Sequence, residues 1–215
     1  FKCDSSYKGF VPETLKNSFN NLEIDKNYNN KRTRAYSLLD IRNIYNIKIV
    51  GDLKFYQSTN YNNVNGNIIR DYKNIDSKII EDNCFKYFIN TFLTTINKEL
   101  TKNSIIEKIK YIQVHQIRVY IDSEDEVNLV PEGIHQDGYN FIAMWCITRK
   151  NITGAISNIY DESKNIVHSV QLQEGEMLIV NDNKMFHNVS PIKLNKINKE
   201  VNSGYRDIFV FTTIS

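Results

Sequence analysis

Pro131-Glu132-Gly133-Ile134-His135-Gln136-Asp137-Gly138 runs straight into Tyr139-Asn140-Phe141-Ile142-Ala143-Met144-Trp145-Cys146-Ile147-Thr148. The second part is dense in apolar, aromatic and β-branched residues without a helical period, so Ile134 to Thr148 is predicted as one long strand. On a strand, His135 and Asp137 stand two positions apart and project from the same face. A carboxylate aimed inward beside an imidazole is costly to bury unless a cation or a proton satisfies it. A second imidazole, from His187, completes two nitrogens and one oxygen on one side of a cation. Such a 2-His-1-carboxylate set leaves the opposite coordination positions free.

Working outward, the chain from Ile112 on breaks into short β-runs split by turns: His115–Asp122, Ile134–Thr148, Ala155–Tyr160, Ile166–Leu172, Glu176–Asp182, Met185–Ile192 and Arg206–Ile214. Strands at this spacing indicate an antiparallel sandwich or jelly roll. Three of them lie between His135 and His187, a separation that suits a jelly roll whose first and later strands are neighbours in space.

The first half reads differently. Pro12-Glu13 opens a short helix over Thr14 to Leu22, Asp25 to Arg34 is a polar loop, and Ala35–Ile41 and Tyr45–Val50 are strand candidates. Asn60 to Asn67 reads as a mobile connection. Phe85, Phe88, Ile89, Phe92, Ile96 and Leu100 recur at helical spacing and predict one helix from Ser77 to Leu100, capped by Asp76, with its aromatic stripe buried against a sheet. The expected fold class is mainly β with α: a double-stranded β-helix (jelly roll, cupin-like) core with supporting N-terminal helices. Residues 1–215 are expected to form a single domain, with 1–111 the α-rich supporting half with some strands and 112–215 the jelly-roll core carrying the site.

Composition excludes some classes. Twenty-seven basic against 25 acidic residues leave a net charge of +2, and the Lys and Arg are scattered, so no nucleic-acid partner is expected. No apolar run approaches the ~20 residues that span a bilayer, so no membrane partner is expected. Cys3, Cys84 and Cys146 form neither a disulfide framework nor a zinc pattern, which points to reduced thiols and a cytoplasmic location. The first residue is Phe1, so a trimmed N-terminus stays open.

Arg206 opens the final strand. By parity Arg206, Ile208, Val210 and Thr212 share one face, and Asp207, Phe209 and Phe211 the other. An inward guanidinium needs an anion, and a ligand carboxylate can take two of its donors in parallel. The structural alternative is a surface arginine paired with Asp207 or Glu200.

His-x-Asp, a distal His and a later Arg together resemble the Fe(II)/2-oxoglutarate-dependent dioxygenases. Within them, the block Pro131–Gly138 is similar to the bacterial free amino-acid hydroxylases typified by L-isoleucine dioxygenase. His115-Gln116-Ile117-Arg118, Arg149-x-Asn151-Ile152-Thr153-Gly154, Asp182 with His187, and Arg206-Asp207 also match, in order. The resemblance covers residues 112 to 215, and only Lys31 to Arg34 match loosely before that.

Carried over, the resemblance implies iron ligation by His135, Asp137 and His187, and binding of the distal carboxylate of 2-oxoglutarate by Arg206. It implies Fe(II), 2-oxoglutarate and O2 as cofactors, with ascorbate helpful in vitro, and hydroxylation of a C–H bond in a free L-amino acid (isoleucine-, leucine- or methionine-like, or another small one). 2-Oxoglutarate would leave as succinate and CO2. The family commonly has Ser or Thr two residues after the arginine, where this chain has Ile208, and Thr212 is the candidate replacement. Asp137 is retained, so hydroxylation is favoured over halogenation.

A free amino acid needs a cation for its carboxylate and an acceptor for its ammonium. Arg118 is the candidate for the first and Glu132 for the second, although Glu132 is equally a turn residue after Pro131. Arg32 or Arg34 could reach over the site if the first loop folds back as a lid. Tyr139 and Trp145, on the parity of His135, are pocket candidates or core aromatics. His115, opposite Arg118 by parity, reads as structural or as support for the site, and His168 as having no role. Asn151 and Gly154 read as turn residues. Two other readings stay open: hydroxylation of a peptide or protein side chain, and a jelly-roll sensor binding a metal or small acid without turnover. A cupin-type sugar isomerase usually uses more histidines.

Overall fold

A computed structural model describes residues 1–4, 8–28, 31–51, 54–102, 109–122, 126–195 and 202–214. Eight strands build one antiparallel sheet. Its order is β1 (Lys2–Asp4), β10 (Met177–Asn181), β6 (Phe141–Lys150), β13 (Gly204–Thr213), β5 (Tyr111–Ile121), β3 (Arg32–Asp40) and β2 (Glu23–Ile24), with β4 (Lys48–Ile49) also on β3. Facing it are β11 (Phe186–Val189), β8 (Ser157–Tyr160) and β9 (Ile166–Val170), and a ribbon of β12 (Ile192–Leu194) on β7 (Ile152–Gly154). Two layers of antiparallel strands, one backed by helices, form the jelly-roll architecture expected.

Each face of the large sheet packs a different core. The outward set Phe209 and Phe211 of β13 and Trp145 of β6 meets helix α3 (Asn83–Lys102), whose Phe85, Phe88 and Phe92 are fully buried. Phe88 stacks on Trp145 at 3.9 Å between ring centroids. Burying side chains of this size is worth roughly 1.5–3 kcal/mol each, so this face carries much of the stability. The inward set, including Ile142, Met144, Leu178 and Val180, packs against Ile159, Val189 and Ile192 of the smaller layers.

Several boundaries differ from the sequence reading, each for a local reason. The long helix is two: α2 (Ser77–Glu81) stops at Asp82, whose carboxylate accepts from the backbone N–H groups of Cys84 and Phe85 and so caps α3 anew. Asp76 does cap α2, through Lys78 N–H. The N-terminal helix, α1 (Glu13–Ser18), tightens into a 3-10 turn over Phe19–Asn21. Arg32 to Arg34 are the start of β3 rather than loop, because β5 supplies a ladder partner for each. Four strands of the N-terminal half, β1, β2, β3 and β4, belong to the sheet that carries the site.

Candidate active site

The predicted strand from Ile134 begins only at Phe141. Before it the chain turns, with Gly133 at φ +77° and Gly138 at φ +85°, in the left-handed region that side chains disfavour. At Gly138 the ring of Tyr61 would lie 2.5 Å from an added Cβ, so only glycine fits. This turn resets the parity. Trp145 consequently faces the helices, as a core aromatic, while Tyr139 lines the cavity.

Turn and β11 are joined by a backbone pair: His135 N–H donates to the His187 carbonyl at 3.1 Å, and His187 N–H to that of His135 at 2.9 Å. The pairing brings the three donors together. Asp137 Oδ1 lies 3.6 Å from His135 Nε2 and its Oδ2 lies 3.4 Å from His187 Nε2. One ligand atom from each of the three falls within 4.8 Å of the others. An ion on bonds of about 2.0–2.2 Å needs only small side-chain movements to touch all three.

The surroundings orient the imidazoles. His135 Nδ1 donates to the Gly133 carbonyl at 3.0 Å, and His187 Nδ1 sits 3.5 Å from Asp182 Oδ1, leaving both Nε2 atoms toward Asp137. Asp182, buried, accepts the backbone N–H groups of Asp137 at 3.1 Å, Gly138 at 2.8 Å and Tyr139 at 3.1 Å. It thereby holds the turn that presents Asp137. Burial alone would raise the Asp137 carboxyl, but its bonds to the two imidazoles outweigh this and hold it well below the usual carboxylate range. Burial works against a charged His135, yet Asp137 and Gly133 outweigh that and push it up to about 9. Metal binding at this set would release that proton.

A cavity of about 160 Å³ opens beside the three donors. Arg206, 3% exposed, enters it, and its Nε and Nη2 have no hydrogen-bond partner among the described residues. Burial brings the Arg206 guanidinium down to about 10. A buried cation with free donors is the chemistry a carboxylate satisfies. Arg206 does not pair with Asp207, which lies on the other face, and Glu200 is outside the described residues.

Two of the residues singled out from sequence, Arg118 and Thr212, stand elsewhere or otherwise than expected. Arg118 is on the opposite face from the cavity. Its Nε and Nη2 bind Asp207 at 2.5 and 2.7 Å, directly across the β5–β13 ladder, and its Nη1 binds Asn20 at 2.7 Å. It cannot meet a ligand in the cavity. Thr212 lines the cavity but lies six residues along β13 from Arg206, roughly 20 Å at a strand's rise. Its hydroxyl lies near Gln113 Oε1 (3.4 Å), which also accepts from Tyr139. Glu132 does line the cavity, and its Oε1 accepts from Asn62 at 2.7 Å.

The segment from Phe55 to Arg70, whose Asn-rich middle read as a mobile connection, is closed at its base by reciprocal Phe55–Arg70 backbone bonds of 2.9 Å. Within it Gln57 donates to Asp137 Oδ1 at 3.2 Å, and Asn62 links Gln57 to Glu132. Gln57, Asn62 and Arg70 were missed in the sequence. Arg32 and Arg34 reach the cavity from β3 rather than from a lid. Arg34 Nη2 lies 2.7 Å from His115 Nδ1, which must accept. Burial and that guanidinium keep His115 well below its ordinary value, hence neutral. His168 lies outside the cavity, stacked on Phe1.

A family model described as 2OG-Fe dioxygenase matches residues 16–212. Among solved structures, a bsmA homolog from Methylobium petroleophilum PM1 superposes with a TM-score of 0.73 at 20% identity, over 94% of this chain and 80% of that one. IDO from Bacillus thuringiensis gives 0.70 at 19%, over 94% and 84%. The Fe(II)/(alpha)ketoglutarate-dependent dioxygenase TqaL gives 0.60 at 14%, over 95% and 76%. These likenesses show the fold. No curated protein matches the chain. Among the described residues no helix is long and apolar enough to cross a membrane.

Proposed function

The chain belongs to the 2OG-Fe dioxygenase family, with Fe(II), 2-oxoglutarate and O2 as its cofactors, and from that premise we propose that it hydroxylates a free amino acid of isoleucine, leucine or methionine type. His135, Asp137 and His187 hold the iron, and Arg206 takes the distal carboxylate of 2-oxoglutarate. The observation that carries this reading is the convergence of three donors beside a buried guanidinium lacking an acid partner.

Bound iron, with 2-oxoglutarate and O2, supplies oxidative decarboxylation to succinate and CO2 coupled to oxygen insertion into a C–H bond. The chain's own residues bind and orient. Arg206 anchors one end of the diacid, Asp182 fixes the turn bearing Asp137, and Gln57 steadies its carboxylate. Ile117, Val119, Met144, Val189 and Val210 give the cavity an apolar wall that suits an aliphatic side chain. Glu132 is placed to accept an ammonium group. A misplacement of ~1 Å can cost on the order of 100-fold in rate, so such walls also decide which C–H bond reacts.

The folded-over segment 55–70 favours a small molecule over a polypeptide, which needs an open groove. The test is a screen of the twenty amino acids for succinate release with iron, ascorbate and 2-oxoglutarate. Release stimulated by one aliphatic amino acid supports the reading. A sensor that binds without turnover would release none at any iron concentration.

A further inference from the structure

We infer that Arg70, with Arg34 beside it, forms a second carboxylate-binding subsite in the cavity, separate from Arg206, that takes the carboxylate of the substrate. The assignment of that carboxylate to an amino acid rests on the function proposed above; the subsite itself rests on charge and burial. Among the described residues four arginines line the cavity, and of these only Arg32 has an acid partner, Asp25, at 2.6 Å. Arg70 is 3% exposed, and its Nε and Nη2 have no hydrogen-bond partner among the described residues. Arg34, also buried, donates to the neutral ring of His115, which orients the guanidinium without neutralising it. Both guanidiniums lie against the Phe55 ring, at 5.2 and 4.5 Å from its centroid. A ring face moderates a cation but does not compensate two.

The lining offers two carboxylates in return, Glu132 and Asp137, and Asp137 is committed to the two imidazoles. 2-Oxoglutarate brings two more, one for the metal's open positions and one for Arg206. Arg34 and Arg70 are left over. Like charges buried together without an anion are costly, and an incoming carboxylate removes that cost while gaining parallel donors. Arg70 also closes the base of segment 55–70 through its backbone pair with Phe55. The residue that would grip the ligand is therefore fixed to the strap that covers it.

The experiment uses the full chain loaded with Mn(II), which does not turn over, and saturating 2-oxoglutarate, so that Arg206 is already occupied. Calorimetry measures binding of the twenty amino acids, of 3-methylbutanoate and acetate, and of the amide of whichever carboxylate binds best. Wild-type protein is expected to bind a carboxylate and to lose ~100-fold or more on going to the amide, or on Arg70→Met. Arg70→Lys should recover part of the loss, and affinity for 2-oxoglutarate should stay unchanged in both variants. Ligand-free Arg70→Met should melt no lower than wild type, since it removes an unpaired buried charge; a lower Tm would assign Arg70 a structural role and overturn the subsite. Carboxylate binding that survives Arg70→Met, a weakened grip on 2-oxoglutarate instead, or no binding of any carboxylate would overturn it as well. If 3-methylbutanoate binds through Arg70 while no amino acid binds or turns over, the subsite stands and the amino-acid reading falls.

Discussion

Asp182→Asn tests whether the turn before β6, rather than the ligands alone, sets metal affinity. The carboxylate accepts three backbone N–H groups from successive residues, one on Oδ1 and two on Oδ2, at 2.8–3.1 Å. An amide keeps two of them by turning its oxygen toward Gly138 and Tyr139, but it then sets an N–H₂ against the Asp137 N–H. One charge-assisted bond, worth about 1.5–3 kcal/mol, is lost and the other two weaken. Relief of burying the charge offsets part of this, because burial and nearby Asp137 already push the Asp182 carboxyl up. A net loss of about 2 kcal/mol in holding Asp137 corresponds to a 10–100-fold weaker metal, the range typical for groups that orient ligands. The assay is titration of metal-free protein with Co(II), followed by absorbance, with thermal unfolding in parallel. If Tm falls while Co(II) affinity is unchanged, the turn supports only the fold and the reasoning is refuted.

His135→Ala and Asp137→Ala are each expected to abolish iron-dependent succinate formation; retained turnover in either removes the proposed ligand set. Arg206→Met should raise the KM for 2-oxoglutarate by ~100-fold, from the loss of charge-assisted bonds, and an unchanged KM would place the co-substrate elsewhere. Asp207→Ala strands the buried Arg118 guanidinium and should destabilise by about 3–5 kcal/mol in urea unfolding, whereas an Arg118→Met/Asp207→Leu double variant should recover most of it. His115, held neutral in the fold, has its pKa depressed, so below 6.5 the unfolded chain binds a proton that the native state refuses. Stability should therefore fall as pH drops from 6.5, by up to ~1.4 kcal/mol per pH unit more than in His115→Gln; parallel pH profiles for the two proteins would contradict this.

Where residues alternate without interruption, the sequence was readable side chain by side chain. The parity of β13 puts Arg206 inward and Phe209 and Phe211 against the helices, as found. Parity failed across the bend from Gly138 to Asn140, which breaks the two-residue period before the strand starts: Tyr139 still faces the cavity, whereas Phe141, Ala143 and Trp145 face the helices. The same period already set Arg118 opposite His115, so its place outside the cavity was legible. Its partner Asp207 was not, since that depends on the β5–β13 register. Arg70 gave no local signal at all. It has no periodic neighbours, and its position depends on closure of a sixteen-residue segment by one backbone pair with Phe55. Asp82 as a helix break was visible in principle, being an Asp that could cap as well as Asp76 does.

The two faces of the large sheet divide stability from chemistry. Arg34, Arg70 and Arg206 are buried without acid partners among the described residues, an arrangement that costs folding free energy in the absence of ligand. On the other face of β13 and β5, Asp207 neutralises Arg118, and Phe209 and Phe211 sit in an aromatic cluster with Phe85, Phe88, Phe92 and Trp145. Neighbouring residues of one strand thus alternate between the strain of the site and the packing that offsets it. It follows that carboxylate ligands should stabilise this protein more than their contact area alone implies, because each removes an existing electrostatic cost as well as adding contacts. The measurable consequence is a rise in Tm with 2-oxoglutarate that shrinks in Arg206→Met, even though that variant, free of one unpaired charge, starts from an equal or higher Tm without ligand. A variant that begins lower would mean that Arg206 is held by structure rather than waiting for an anion.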